Sequence, residues 1–399
     1  MKNSILTFVF ALATSFAFAN SASTVNPTNP PTTPPPCAPG AHCDEIIPRT
    51  DVCVPELLPD IYCPDDVLLA VQGLANYSAV RQTGDFSYAT VDQTGSNGSE
   101  IIQNGTGMDA TEQNEAFVTQ DGWNGAITRQ DGHSNMSDIN QTGDLNFADV
   151  KQAGNGNDSD VDQSDMGNKA DVDQLGNNNT SILDQSGSAS VLTGNAAKIF
   201  QCGNDNSSDG AQVGDGNKLC VDQIGDGNDS FQRQDGTDNV AVVEQGNHTD
   251  VATNNEASQD QLGIGNSAYA TQLGDGNISN QIQDGDDNYA EVQQSLTDML
   301  GDNEANQDQV GTDNAALVAQ EGERNLANQN QDGDCNIAIA RQGGVDNESN
   351  QMQTGTELFS ATVQMGHDQM SNVTQTGSLH ASYVDQAGGN NCATVTQGD

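Results

Sequence analysis

The stretch that decides the fold runs from Gln309 to Gln353: QVGTDNAALVAQEGERNLANQNQDGDCNIAIARQGGVDNESNQMQ. Gln309, Gln320, Gln331, Gln342 and Gln353 recur every eleven residues. Two residues after each of the first four come Gly311, Gly322, Gly333 and Gly344. Three further on stand Asn314, Asn325, Asn336 and Asn347, and then Ala316, Ala327, Ala338 and Ser349. Asn314, Ala316, Val318, Gln320 and Gly322 are each two apart, so they share one face of a β-strand, while Ala315, Leu317, Ala319 and Glu321 take the other. The longer step from Gly to the next Asn breaks the alternation and marks a corner, where glycine supplies positive φ at little steric cost. Strict twos exclude an amphipathic helix.

The residue two before each glutamine carries a second signal. It reads Val221, Gln232, Val243, Gln259, Ala270, Gln281, Val292, Gln307, Val318, Gln329, Ala340, Gln351 and Thr362. Small or apolar residues alternate with glutamine, so the true period is twenty-two and comprises two unlike strands. A chain that coils once per two strands stacks like upon like, which predicts an all-β fold, a β-solenoid of about 14–15 two-stranded coils. Asn and Gln at equivalent positions then form hydrogen-bonded ladders, which allow polar side chains to face inward. The ladder set in the most regular stretch is Gln309, Gly311, Asn314, Ala316, Val318, Gln320, Gly322, Asn325, Ala327, Gln329, Gln331, Gly333, Asn336, Ala338 and Gln342.

Outward from this stretch the register is less even. It begins Gln82, Gln93, Gln103 and Gln113, and only seven residues separate Gln113 from Gln120, which reads as a corner shortened or lost. A sixteen-residue step from Gln185 to Gln201 reads as hiding an imperfect unit around Ser190 to Thr193. Longer steps to Gln261 and Gln309 read as local bulges or loops. The count is twenty-nine units, placed in a repeat region 66–399. The last unit, Asn391 to Gln397, carries no visible polar cap, which suggests a docking edge for another copy.

Composition sets the compartment and the partners. Of 399 residues 57 are acidic and 11 basic, a formal net charge of −46. Phosphate binding requires basic surface, so nucleic acid is excluded as a partner. Asp158, Asp160 and Asp162 alternate with inward positions between Asn157 and Gln163 and so form a solvated outer face. Stacked acids repel, so salt or divalent ions favour the folded state, and weak divalent-cation binding stays open as an alternative. Lys2, the apolar run Ile5 to Phe18 and Ala17-Phe18-Ala19 fit a secretory signal over 1–19. No later stretch is long and apolar enough for a spanning helix, so membrane insertion is not expected. Residues 20–65 form a Pro- and Cys-rich segment. Its Cys37, Cys43, Cys53 and Cys63 are compatible with two disulfides, metal binding being the alternative. The pairing of Cys202, Cys220, Cys335 and Cys392 is left open.

The unit Gln141-Thr142-Gly143-Asp144-Leu145-Asn146-Phe147-Ala148, closed by Gln152, fits Q-x-G-x-x-N-x-A-x-x-x-Q throughout, as do Gln234 to Gln245, Gln261 to Gln272, Gln283 to Gln294 and the three units from Gln309 to Gln342. This pattern resembles the curlin repeat of curli fibre subunits. The resemblance implies a secreted functional amyloid: a homopolymer exported through an outer-membrane pore, started by a nucleator at the cell surface, and built into biofilm matrix fibres by end-to-end stacking. The alternative is a monomeric acidic solenoid, an adhesin or spacer whose folding depends on cations.

No constellation points to catalysis, and no cofactor is called for. His42, His133, His248, His367 and His380 are dispersed. Gly214-Asp215-Gly216-Asn217 and its likenesses read as corners, because calcium-roll turns follow a shorter period and a different glycine spacing.

Overall fold

The computed structural model describes residues 76–108, 112–187, 194–246, 252–295 and 301–399. All lie in the unit Pro36–Asp399. The signal sequence, the Pro-rich stretch and Cys37, Cys43, Cys53 and Cys63 are outside the described residues. Described secondary structure is β throughout, from β1 (Tyr77–Asp85) to β27 (Cys392–Gly398).

Strands pair in parallel with the strand one coil further on and not with their neighbour in sequence, except where the continuous strands Asn114–His133 and Met136–Asn155 each make a whole coil and so pair with their sequence neighbours. Thus β19 (Glu304–Thr312) pairs with β21 (Leu326–Asp334), and β20 (Ala315–Glu323) with β22 (Ile337–Val345). The register is position on position: Asn306 opposite Asn328, Gln309 opposite Gln331, Gly311 opposite Gly333. The result is a parallel β-solenoid of about 14 turns with a period near 22 residues. We call the wall that contains β1, β20 and β22 wall A, and the wall that contains β19, β21 and β27 wall B.

The core lies between the walls and is thin. Ala316, Val318, Ala327 and Ala338 are buried together with Gln320, Gln329 and Gln331. Its character changes along the axis. From Ile101 to Val172, and at Leu183 and Ile199, both walls contribute aliphatic side chains. On wall B the position then becomes Gly210, followed by Gln232, Gln259, Gln281, Gln307, Gln329 and Gln351, and returns to Val373. Gly210 leaves room for Leu219 from the opposite wall, whose Cδ1 would lie 2.9 Å from a Cβ there.

Two irregularities differ from the sequence reading. Gln103 stacks on Gln130, and Gln93 on Gln120. Gln113 is on neither ladder; its amide donates to Glu115 instead. The corner before Asn114 is therefore lengthened rather than lost, and the units number twenty-eight. Likewise Gln174 stacks directly on Gln201 and Gln185 on Gln212, so no rung is hidden between Gln185 and Gln201. In both cases the extra residues fall between described strands in the sequence, and Ser190 to Thr193 lie outside the described residues.

The regular eleven-residue corners make two backbone demands. The glycine after the glutamine has positive φ, for example +114° at Gly311 and +140° at Gly355. The residue before the asparagine position is also left-handed, at 54° for Arg324, 57° for Cys335 and 60° for Leu379, which precedes His380 in the place of the asparagine. Asp and Asn are frequent there, because their short polar side chains tolerate this region best among non-glycines.

Candidate assembly interface

The polar ladders run along the solenoid axis, and they also define what its two ends offer. On wall A, Nε2 of Gln82 donates to Oε1 of Gln103 at 2.8 Å, and the same contact recurs coil by coil, ending with Gln364 on Gln386 at 2.9 Å. On wall B the column runs from Gln93 to Gln397; within it Gln309 donates to Gln331, and Gln331 to Gln353, both at 2.9 Å. The second amide hydrogen crosses to the opposite wall: Gln320 donates to the Glu304 carbonyl at 2.9 Å and Gln331 to the Ala315 carbonyl at 3.1 Å. Each of these interior glutamines thus ties two coils and two walls together and meets both of its amide hydrogens.

The asparagines hold the corners. Oδ1 of Asn314 accepts from the Asn336 backbone N–H at 3.0 Å, while its Nδ2 donates to the Gly333 carbonyl at 2.7 Å. On wall B, Oδ1 of Asn325 accepts from the Asn347 N–H at 3.2 Å, and its Nδ2 donates to the Gly344 carbonyl at 3.1 Å. The wall A column closes at Asn336, which accepts from Leu358, and the wall B column at Asn347, which accepts from Gln369. The glycines form a column so tight that a Cβ on Gly311, Gly322 or Gly333 would meet the next glycine's carbonyl oxygen at 2.0–2.1 Å.

The residues of the sequence-derived ladder set are thus brought into stacked columns, whereas the N-terminal cysteines lie outside the described residues. One ladder was not read from the sequence. Asn280, Asn306, Asn328, Asn350 and Asn372 stack on the outer face of wall B, with amide contacts of 2.8–2.9 Å. Its signal was an Asn three residues before every second repeat glutamine.

Ladder directions give the ends complementary chemistry. Glutamine side-chain amides donate toward the C-terminal coil, whereas the asparagine backbone N–H groups donate toward the N-terminal one. The edge coil formed by β26 (Ala381–Gly389) and β27 has no described strand stacked beyond it, and the same holds for β1 with β2 (Ser87–Gly95). Val80, an inward residue of β1, is 49% exposed, whereas its counterpart one coil on, Ile101, is fully buried. Backbone N–H and C=O groups at such an edge template the pairing of a further strand.

The outer faces are acidic. On wall B, Asp138 stacks on Asp160, and Asp162 on Asp184. Burial, and then the charge of neighbouring acids, pushes Asp138, Asp160 and Asp184 above the usual carboxylate range. On wall A, Arg129 pairs with Asp149 at 2.9 Å, and Lys151 lies within 3.4 Å of Asp149, Asp171 and Asp173. Burial works against the Lys151 charge, but these three carboxylates together hold its ammonium well above the ordinary lysine value. Arg324 bonds both carboxylate oxygens of Asp346, at 2.8 and 3.0 Å, and this hydrogen bonding lowers the Asp346 pKa. Among the described residues no group of three His, Cys, Asp or Glu side chains is placed to hold a metal ion, and no helix is long and apolar enough to cross a membrane.

Stacked identical residues, a two-strand coil and templating edges define a laddered parallel β-solenoid of the structural, non-globular kind. The family model of the curlin associated repeat matches residues 132–164 and 366–398, and the two matches support the curli subunit family. No curated protein matches the chain.

Proposed function

We propose that this curli-like structural protein is exported and polymerises by end-to-end stacking into extracellular fibres of a cell surface or biofilm matrix. One observation carries the reading: the strand register and the glutamine ladders join equivalent positions from coil to coil, so a coil of a second copy can continue the ladders where the first copy's edge coil stops. The glutamine donors at the last coil then meet the Gln82 and Gln93 acceptors of the next copy. By the family resemblance, a nucleator and an outer-membrane secretion pore would be its partners. Electron microscopy and X-ray diffraction of the purified protein test this. Unbranched fibres with a meridional spacing of about 4.8 Å are expected; a chain that stays monomeric for days in concentrated, salt-containing buffer contradicts it.

The net charge of −46 favours a second reading, a monomeric acidic solenoid that acts as an adhesin or spacer. Under it, the β-signal in circular dichroism at low ionic strength depends on divalent cations. An identical signal with and without chelator removes this version.

A further inference from the structure

The two edge strands of wall A carry opposite charges at one position. Arg81 of β1 and Asp385 of β26 each stand immediately before a repeat glutamine, Gln82 and Gln386, and both point outward and are exposed. Arg129, Lys151, Arg233 and Arg324 each pair with a carboxylate of the chain. Arg81 and Asp385 form no ion pair among the described residues. The register sets Arg81 opposite Ile102 and Asp385 opposite Val363, so the next coil inward offers neither of them an opposite charge at this position.

Charges at this position reach each other from coil to coil. Lys151 and Asp173 occupy it in successive strands of wall A, with Nζ 3.1 Å from Oδ1. Arg233 and Asp260 occupy it on wall B, at 3.6 Å.

We propose that β26 of one copy pairs in parallel with β1 of a second copy, and that an ion pair between Asp385 and Arg81 selects this joint. The inference rests on end-to-end stacking as the mode of assembly and specifies its register. The interior does not distinguish between registers. With β26 on β1, Val384 meets Val80, Gln386 meets Gln82 and Gly388 meets Gly84. A slip of half a coil lays β26 on β2, where Val384 meets Val91, Gln386 meets Gln93 and Gly388 meets Gly95. Core, ladder and corner therefore match in both. The outer face does not: the slip sets Asp385 on Asp92. Two acids about 4.8 Å apart replace an attraction with a repulsion, and like-charge contact of this kind rejects a wrong partner surface. The selected joint also keeps wall A on wall A, so each outer face runs on unbroken from copy to copy.

The test is seeded elongation of the full-length protein at low and at high salt, with each rate taken relative to wild type. Arg81→Glu and Asp385→Lys each set like charges at every joint. Each is expected to slow elongation roughly tenfold at low salt, with a smaller effect at high salt. Net charge alone would act otherwise, because Asp385→Lys makes the chain less acidic and would speed its assembly. The double variant Arg81→Glu/Asp385→Lys exchanges the two charges, and an equimolar mixture of the single variants brings opposite charges together at every mixed joint. Both are expected within about twofold of wild type. Single variants that elongate at the wild-type rate, Asp385→Lys fibres that grow faster, or a double variant and a mixture as slow as the single variants overturn the joint while end-to-end stacking stands. Wild-type protein that forms no fibre overturns end-to-end stacking, and this joint with it.

Discussion

At the scale of single residues, the corner is where backbone geometry is least forgiving. A methyl group on Gly355 would lie 1.8 Å from the carbonyl oxygen of Gly377, and φ there is +140°. Neither atom can withdraw without breaking its ladder, so Gly355→Ala is expected to cost about 3 kcal/mol and to lower the melting temperature by several degrees. The second corner position works the other way. Leu379 is 75% exposed and left-handed at 60°, so Leu379→Gly relieves strain and should stabilise by about 1 kcal/mol in denaturant melts. Loss of stability in that variant would contradict the reading of this corner. The two positions were not equally legible. The glycine column announces itself because a side chain is excluded there. The left-handed residue before the asparagine position, which His380 fills after Leu379, does not, because Arg324, Cys335 and Leu379 all meet the same demand at a modest cost and leave no common signature.

At the scale of the wall, like must stack on like, and that requirement is what made the fold readable. Gln309, Gln331 and Gln353 recur because a glutamine amide is satisfied along the axis only by the glutamine above or below it. Where a corner bulges, that constraint disappears. Gln113 therefore imitated a rung by chance, and the real stacking of Gln103 on Gln130 was hidden by the insertion. The acid columns of wall B yield a prediction in pH. Asp138, Asp158, Asp160, Asp184 and Asp209 are pushed up, first by burial and, for all but Asp158, also by neighbouring acids. The folded chain thus binds these protons more tightly than the unfolded chain, whose carboxylates titrate near 3.8. Stability must fall as pH rises through the interval between that value and the raised native values, and rise again on acidification. Thermal melts from neutral to mildly acidic pH should show increasing stability, with a shallower slope in Asp160→Asn. A flat or inverted slope would rule out this account of the acidic face. Added salt should act in the same direction as acid, because it screens the same repulsion.

At the scale of the whole molecule, the solenoid turns a sequence that is only 34% apolar into an ordered structure by replacing a thick apolar core with repeated polar ladders. The coil has no intrinsic length, so the contacts that join β19 to β21 within one chain are also those available between chains. The central claim is that a fibre of this protein is a continuation of that coil rather than a flat stack of extended chains. Mass per unit length, measured on purified fibres by scanning transmission electron microscopy, separates the two. One chain supplies about 14 turns, each about 4.8 Å along the axis, so a fibre one solenoid wide should carry one chain per roughly fourteen layers. A value near one chain in every layer, more than tenfold higher, would mean that the chains unroll and stack in register, and would contradict the account.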